Sequence, residues 1–210
     1  MQKGEWSMLR LTRVSKHFSE KQVIASVTLL VKAGEMVCFT GPSGIGKTTL
    51  LEMIAGVIPA DNGTIERHSV PALMFQDDVL MPWLTALANI KYIMPDNLPQ
   101  GVATDIARDW LAFFELQEAI FPADMSGGMR RRLSLARTFA SGRKLLLMDE
   151  PFAFLDEAWQ EKIAKEIAAF AAKGSSIILT SHTTGFMDLP CFIPVPFRVF
   201  SLTESPITIV

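Results

Sequence analysis

One run constrains this chain more than any other: GPSGIGKTT, residues 41–49. Glycines at 41, 44 and 46 let the main chain curl without Cβ clashes, so several N–H groups can converge on one anion. The preceding run, MVCFT at 36–40, is short and continuously apolar, as expected of a strand buried on both faces of a parallel sheet. The following run, 48–57, places Leu50, Leu51, Ile54 and Val57 at helical spacing, and Pro59 is expected to stop that helix. Strand, glycine turn and helix in this order make a phosphate loop.

The chemistry of each position follows. Gly41, Pro42, Ser43, Gly44, Ile45 and Gly46 supply backbone to the cradle, and the positive end of the helix adds to the attraction. Lys47 is placed to reach β- and γ-phosphates. The Thr48 hydroxyl suits Mg²⁺, a hard cation that takes oxygen ligands, and Thr49 can donate to an α-phosphate.

A second apolar run, LLLMDE at 145–150, delivers Asp149 and Glu150 to the carboxyl edge of a sheet, where open parallel sheets bind ligands. Asp149 would hold Mg²⁺ and Glu150 would act as general base on a water attacking the γ-phosphate; the bland alternative is a pair of acids capping a helix. Residues 177–180 form another buried strand ending at His182, a γ-phosphate sensor or an ordinary surface histidine. Gln76 follows ALMF, and its amide can touch Mg²⁺ or the attacking water. MSGGM at 125–129 opens a further helix, with Ser126 and the N–H groups of Gly127 and Gly128 as anion donors; an ordinary capped helix is the alternative. The basic run Arg130 to Arg132 behind it reads as a solvated face.

Residues 8–14 and 22–31 read as strands joined by a polar turn at 15–20, and 105–116 as a helix within a proline-punctuated insertion. The Pro-rich tail, 190–210, reads as edge strands. Of the 210 residues 49% are apolar, enough to bury a sizeable core, and a net charge of -2 argues against nucleic acid as partner. Cys38 and Cys191 fit no zinc or redox spacing, and a reducing compartment is expected. Residues 1–7 lack the apolar core of a signal peptide, and no run is long enough to span a bilayer.

In order and spacing, GPSGIGKTT, Gln76, MSGGMRRRLSLAR, LLLMDEPFAFLD and TSH resemble the ATP-binding cassette (ABC) ATPases over nearly the whole chain. The resemblance implies an α/β fold: a P-loop NTPase core with a mainly parallel central sheet, an N-terminal antiparallel β subdomain and an inserted helical subdomain at about 78–130. The whole of 1–210 would be a single ATPase domain. It implies ATP with Mg²⁺ at Thr48, Gln76 and Asp149, catalysis by Glu150, His182, Gln76 and Lys47, and a head-to-tail dimer in which Ser126, Gly127 and Gly128 of one copy close over the ATP of the other. Phe18 matches the aromatic that stacks on adenine, although a core phenylalanine also fits, and Asp156 matches the aspartate that communicates across the dimer.

FQDDVLMPWLTALANI resembles the Pro-Trp form found in ATPases of nitrate, sulfonate and taurine importers. This implies a subunit on the cytoplasmic face of the membrane that energises a separate permease, with an extracytoplasmic solute-binding protein as indirect partner. The permease would dock along residues 76–84, with Leu80, Met81 and Trp83 exposed to it. Met129 replaces the signature's usual glutamine, as in that subgroup, and TTGFMDLPCF replaces the acidic helix that usually follows the histidine. The alternative is a soluble cassette ATPase acting on nucleic acid or the ribosome. Such proteins add coiled coils, a second cassette or basic surfaces. A phosphoryl-transferring kinase would leave the MSGGM helix and Glu150 without purpose.

Overall fold

The computed structural model describes residues 7–182 and 185–210, so residues 1–6, and Thr183 and Thr184 after His182, lie outside the described residues. The chain opens with a long antiparallel pair, β1 (Ser7–Phe18) and β2 (Lys21–Lys32). Leu9 and Leu11 turn inward while Arg10 and Thr12 face water, the period of two that a half-buried strand requires, and an irregularity at Arg13, with φ 49, then brings Val14 inward. Contrary to the turn expected at 15–20, β1 stays paired through Phe18, and only Ser19 and Glu20 make the turn. Asp61 explains the extension, because its carboxylate accepts the Lys16 ammonium at 2.8 Å and the His17 N–H at 2.6 Å.

Next come β3 (Met36–Thr40), α1 (Lys47–Ala55), β4 (Asn62–Arg67) and β5 (Ala72–Met74). Helices α2 (Ala86–Lys91), α3 (Gln100–Phe113) and α4 (Gly127–Ala140) fill the stretch before β6 (Leu145–Met148). The chain continues through α5 (Glu157–Ala172) and β7 (Ser176–Ser181) to β8 (Phe197–Ser201) and β9 (Ile207–Ile209). One sheet has the order β4-β1-β2-β9, and the other, β5-β6-β7-β3-β8, is parallel throughout. As read from sequence, the tail supplies an edge strand to each.

Both faces of the parallel sheet are covered. Val37, Phe39, Leu145, Leu147 and Ile178 pack toward α1 and the antiparallel sheet, while Met36, Cys38, Leu146, Met148, Ile177 and Leu179 pack toward the helices α2 to α5. That double burial explains why these strands read as unbroken apolar runs. On the helical side, aromatic rings join three elements: Trp110 of α3 lies 5.2 Å from Phe139 of α4, which lies 5.0 Å from Phe170 of α5.

Helix α1 ends sooner than Pro59 would require. Gly56, at φ 83, adopts the left-handed conformation open to a residue without Cβ, and its N–H together with that of Val57 turns back onto the Met53 and Glu52 carbonyls. Arg67 of β4 completes the cap by donating to the carbonyls of Met53, at 2.8 Å, and Ile54. A cation on the negative end of a helix is favourable. Arg67→Ala should therefore lower the unfolding free energy by about 1–3 kcal/mol, measured as a lower urea midpoint at unchanged slope; an unchanged midpoint refutes the capping role.

Candidate functional site

Because β3, β5, β6 and β7 run parallel and in register, their carboxyl ends lie on one edge of the sheet: Thr40 pairs with Ser181, and Met74 with Met148. The residues just beyond those ends surround a cavity of about 180 Å³ whose lining includes Phe18, Lys47, Thr48, Gln76, Asp149, Glu150 and His182. Ser43, Gly44, Gly46 and Thr49 line it as well. Phe18 is 47% exposed there, which removes the core alternative for it. Ile45 differs from its neighbours in the loop: its side chain is buried in the core, leaving only backbone for the cradle.

The loop is shaped from behind by the tail. Gly41 and Gly46 have φ of 147 and 118, and a Cβ on Gly41 would sit 2.3 Å from the Leu202 carbonyl oxygen. On Gly46 it would meet Val23 at 2.7 Å and Ile207 at 3.1 Å. Glycine is thus needed for space as well as for backbone conformation. The Leu202 N–H donates to the Thr40 carbonyl at 2.7 Å, fixing that wall.

Within the cavity, the Lys47 ammonium donates to the carbonyls of Gly41 at 2.8 Å and Pro42 at 3.1 Å and lies 3.9 Å from Glu150 Oε1. Burial pulls its pKa down, opposed by the carboxylates of Glu150 and Asp149. The Asp149 carboxylate accepts the Thr48 hydroxyl at 2.6 Å on one oxygen and the Thr180 hydroxyl on the other. Thr180 in turn accepts the Glu150 N–H at 2.9 Å. Nothing in the spacing of the sequence singles out Thr180; only the register of β7 beside β6 places it there.

Glu150 is the most constrained member. Its φ of 51 is left-handed, an unfavourable conformation for a residue with a side chain that is tolerated where surrounding bonds enforce it. Its carboxylate accepts the His182 N–H at 3.2 Å and lies 3.0 Å from His182 Nε2, while Nδ1 of the same ring is 3.2 Å from the Gly41 carbonyl. The ring therefore bridges the glycine loop and the acid. Burial pushes the Glu150 carboxyl up, with Asp149 adding to it, against the lowering effects of His182 and Lys47. Cys38 lies beneath, its thiol pushed up to about 12, chiefly by burial, and so unreactive.

Ser126, Gly127 and Gly128 stand apart from this cavity. The Ser126 hydroxyl caps α4 by accepting the Met129 N–H at 3.2 Å, and Ser126 and Gly127 are exposed. Asp156 likewise caps α5, accepting the Trp159 N–H at 2.9 Å. One expectation is overturned: Arg131, read as part of a solvated basic face, is fully buried. Its guanidinium donates to the carbonyls of Phe75, Gln76, Asp149 and Glu150 and to the Asp78 carboxylate.

A separate groove of about 430 Å³ is lined in part by Phe75, Val79, Met81, Ile93, Arg137 and Arg143. Leu80 and Met81 are half-buried rather than exposed, since Leu80 packs on the core and Asn89 holds Met81 by both its N–H and its carbonyl. Trp83 is 71% exposed.

The family model described as ABC transporter matches residues 24–153. The chain belongs to the ABC transporter family. This family member is 35% identical to the taurine import ATP-binding protein TauB of Chromobacterium violaceum, over 94% of this chain and 83% of that one. It is 30% identical to the aliphatic sulfonates import ATP-binding protein SsuB 1 of Rhodococcus jostii, over 95% and 81% of the two chains. Among solved structures, the dimeric post-hydrolysis state of the ATP-binding cassette MJ0796 bound to ADP and Pi matches with a TM-score of 0.78 and 25% identity, over 85% of this chain and 90% of that one.

The raised carboxyl makes a prediction about stability. Glu150 releases its proton less readily folded than unfolded, so its contribution is present below the ordinary value of 4.5 and is lost as pH rises through the folded value. Above the ordinary value the raised carboxyl therefore works against the fold. Glu150→Gln should melt above the parent protein at about pH 7.5, the gap closing as the medium approaches the ordinary glutamate range; a lower melting point at neutral pH contradicts the assignment.

Proposed function

We propose that the protein is the ATP-hydrolysing subunit of an ABC importer of the nitrate, sulfonate and taurine type, energising uptake of a small solute through a separate membrane permease. The observation that carries this reading is the convergence of Lys47, Thr48, Asp149, Glu150 and His182 on one cavity, with the Ser126 turn facing outward. Importer subunits such as TauB and SsuB 1 align with nearly the full chain, which supports the transport role. No observation favours the nucleic-acid alternative.

ATP enters with adenine on Phe18 and its phosphates in the glycine loop. Lys47 exchanges the Gly41 and Pro42 carbonyls for phosphate oxygens, a stronger set of partners for an ammonium. The oxygens of Thr48, Asp149 and Gln76 suit Mg²⁺, and two of them already lie 2.6 Å apart. When bound, Mg²⁺ neutralises charge on the β- and γ-phosphates. Glu150 takes a proton from water as the water oxygen bonds to the γ-phosphorus and the bridge to ADP breaks. His182 Nε2 exchanges Glu150 for a γ-phosphate oxygen, while its main-chain N–H keeps hold of the Glu150 carboxylate.

A second copy completes the site, its Ser126, Gly127 and Gly128 closing over the triphosphate head to tail. Binding favours the closed pair and hydrolysis releases it, a population shift that moves the permease. Residues 1–210 act as one cassette, with 78–130 as its helical arm. The groove beside Val79 and Met81 receives a permease helix from the cytoplasmic face, where the subunit is peripheral; no helix among the described residues is long and apolar enough to cross a membrane. An extracytoplasmic binding protein delivers the solute.

Glu150→Gln should lower turnover at least about 100-fold while retaining ATP, and should give an ATP-dependent dimer by size-exclusion chromatography. Normal turnover in that variant refutes the general-base role. Lys47→Ala should weaken ATP binding by about tenfold or more, read by equilibrium titration; unchanged affinity counts against Lys47 as the phosphate ligand.

A further inference from the structure

We propose that Arg131 is a positioning residue that couples the Ser126 end of α4 to the hydrolytic carboxylate, so that docking of the second copy's nucleotide on α4 sets the alignment of Glu150 in this copy's own site. The inference rests on the dimeric reading above and adds a link between its two sites.

Three observations carry it. First, Arg131 is completely buried, yet only one of its five acceptors is a carboxylate: Asp78 at 3.2 Å. The others are the carbonyls of Phe75 at 3.1 Å, Gln76 at 3.0 Å, Asp149 at 2.7 Å and Glu150. These are the main-chain groups at and beside the side chains that face the cavity. Second, those carbonyls lie just past the ends of two neighbouring strands, β5 and β6, where the ladder's last rung is the Asp149 N–H to the Met74 carbonyl at 2.9 Å. Arg131 clamps the two ends where sheet pairing stops. Third, Glu150 holds a left-handed backbone, pinned at its N–H by Thr180 and at its carbonyl by Arg131. The Ala153 N–H also donates to that carbonyl, at 3.1 Å, but it belongs to the same turn as Glu150, so Arg131 is the group that ties the Glu150 carbonyl to α4.

The transmission is mechanical. Arg131 lies five residues along α4 from Ser126, about 7 Å at the rise of a helix. The helix begins at an exposed turn and reaches Glu150 through one rigid planar group. A shift at the turn therefore arrives at Glu150 without passing through a flexible loop. A lysine would keep the charge, but its single nitrogen cannot span acceptors on two strand ends.

The test uses the full chain with Mg-ATP, comparing parent, Arg131→Lys, Arg131→Gln and Arg108→Gln. Turnover, ATP affinity and the Hill slope of turnover against ATP are measured beside a melting curve. For folded Arg131→Lys or Arg131→Gln the expected result is a fall in kcat of about tenfold or more, ATP affinity within about twofold of parent, and a Hill slope reduced toward one. Arg108→Gln, which removes only an exposed pair with Glu118, should keep parental kcat. Unchanged kcat in a folded Arg131 variant overturns the proposal. So does a loss of affinity without a loss of kcat, or an Arg108→Gln defect equal to that of Arg131→Lys. If neither Arg131 variant folds, amide exchange in the Glu150→Gln protein decides: ATP must slow exchange in α4 and at residues 149–150 together, and slowing in α4 alone overturns the proposal. A parent protein that turns over no ATP removes the underlying functional reading instead, whatever the variants do.

Discussion

In-register parallel pairing of β3 with β7 and of β5 with β6 is the constraint on which the rest depends. Parallel strands deliver all their carboxyl ends to one edge, so groups separated by more than a hundred residues of chain meet without any loop having to reach far. Thr48 and Asp149 are bonded across 101 positions on this account. The pairing needs full burial, supplied by α1 with the antiparallel sheet on one face and by α2 to α5 on the other.

Electrostatics then divides the labour among the groups delivered. Asp149 spends both oxygens on threonine hydroxyls, whereas Glu150, one residue on, is buried beside His182 and Lys47 with its proton affinity raised. Adjacent acids thus differ by environment, one suited to a cation and the other to a proton. The fold spends backbone strain at Glu150 to obtain that difference.

Much of this was legible in the sequence because the signals were local. The glycine loop, the apolar strands and the Asp-Glu pair each declare themselves within ten residues. Where the reading slipped, the deciding partner was distant in sequence or a rule of lower priority won. Gly56 ended α1 before Pro59 could, since a left-handed cap satisfies the last carbonyls. NGTIER gave no strand signal because β4 lies largely exposed and lacks alternation. Thr180 and Arg131 were invisible for a deeper reason: a threonine in an apolar strand and an arginine in a basic run look like filler until register shows what they touch.

The backing of the glycine loop by Leu202 and Ile207 ties the phosphate cradle to the edge strands of the tail. Edges are where sheets open first. Free-energy reciprocity then applies in both directions: whatever fills the cradle holds the tail in place, and fraying of the tail loosens the grip on an anion by the same factor. Strands that carry no chemistry thereby become part of the site's affinity.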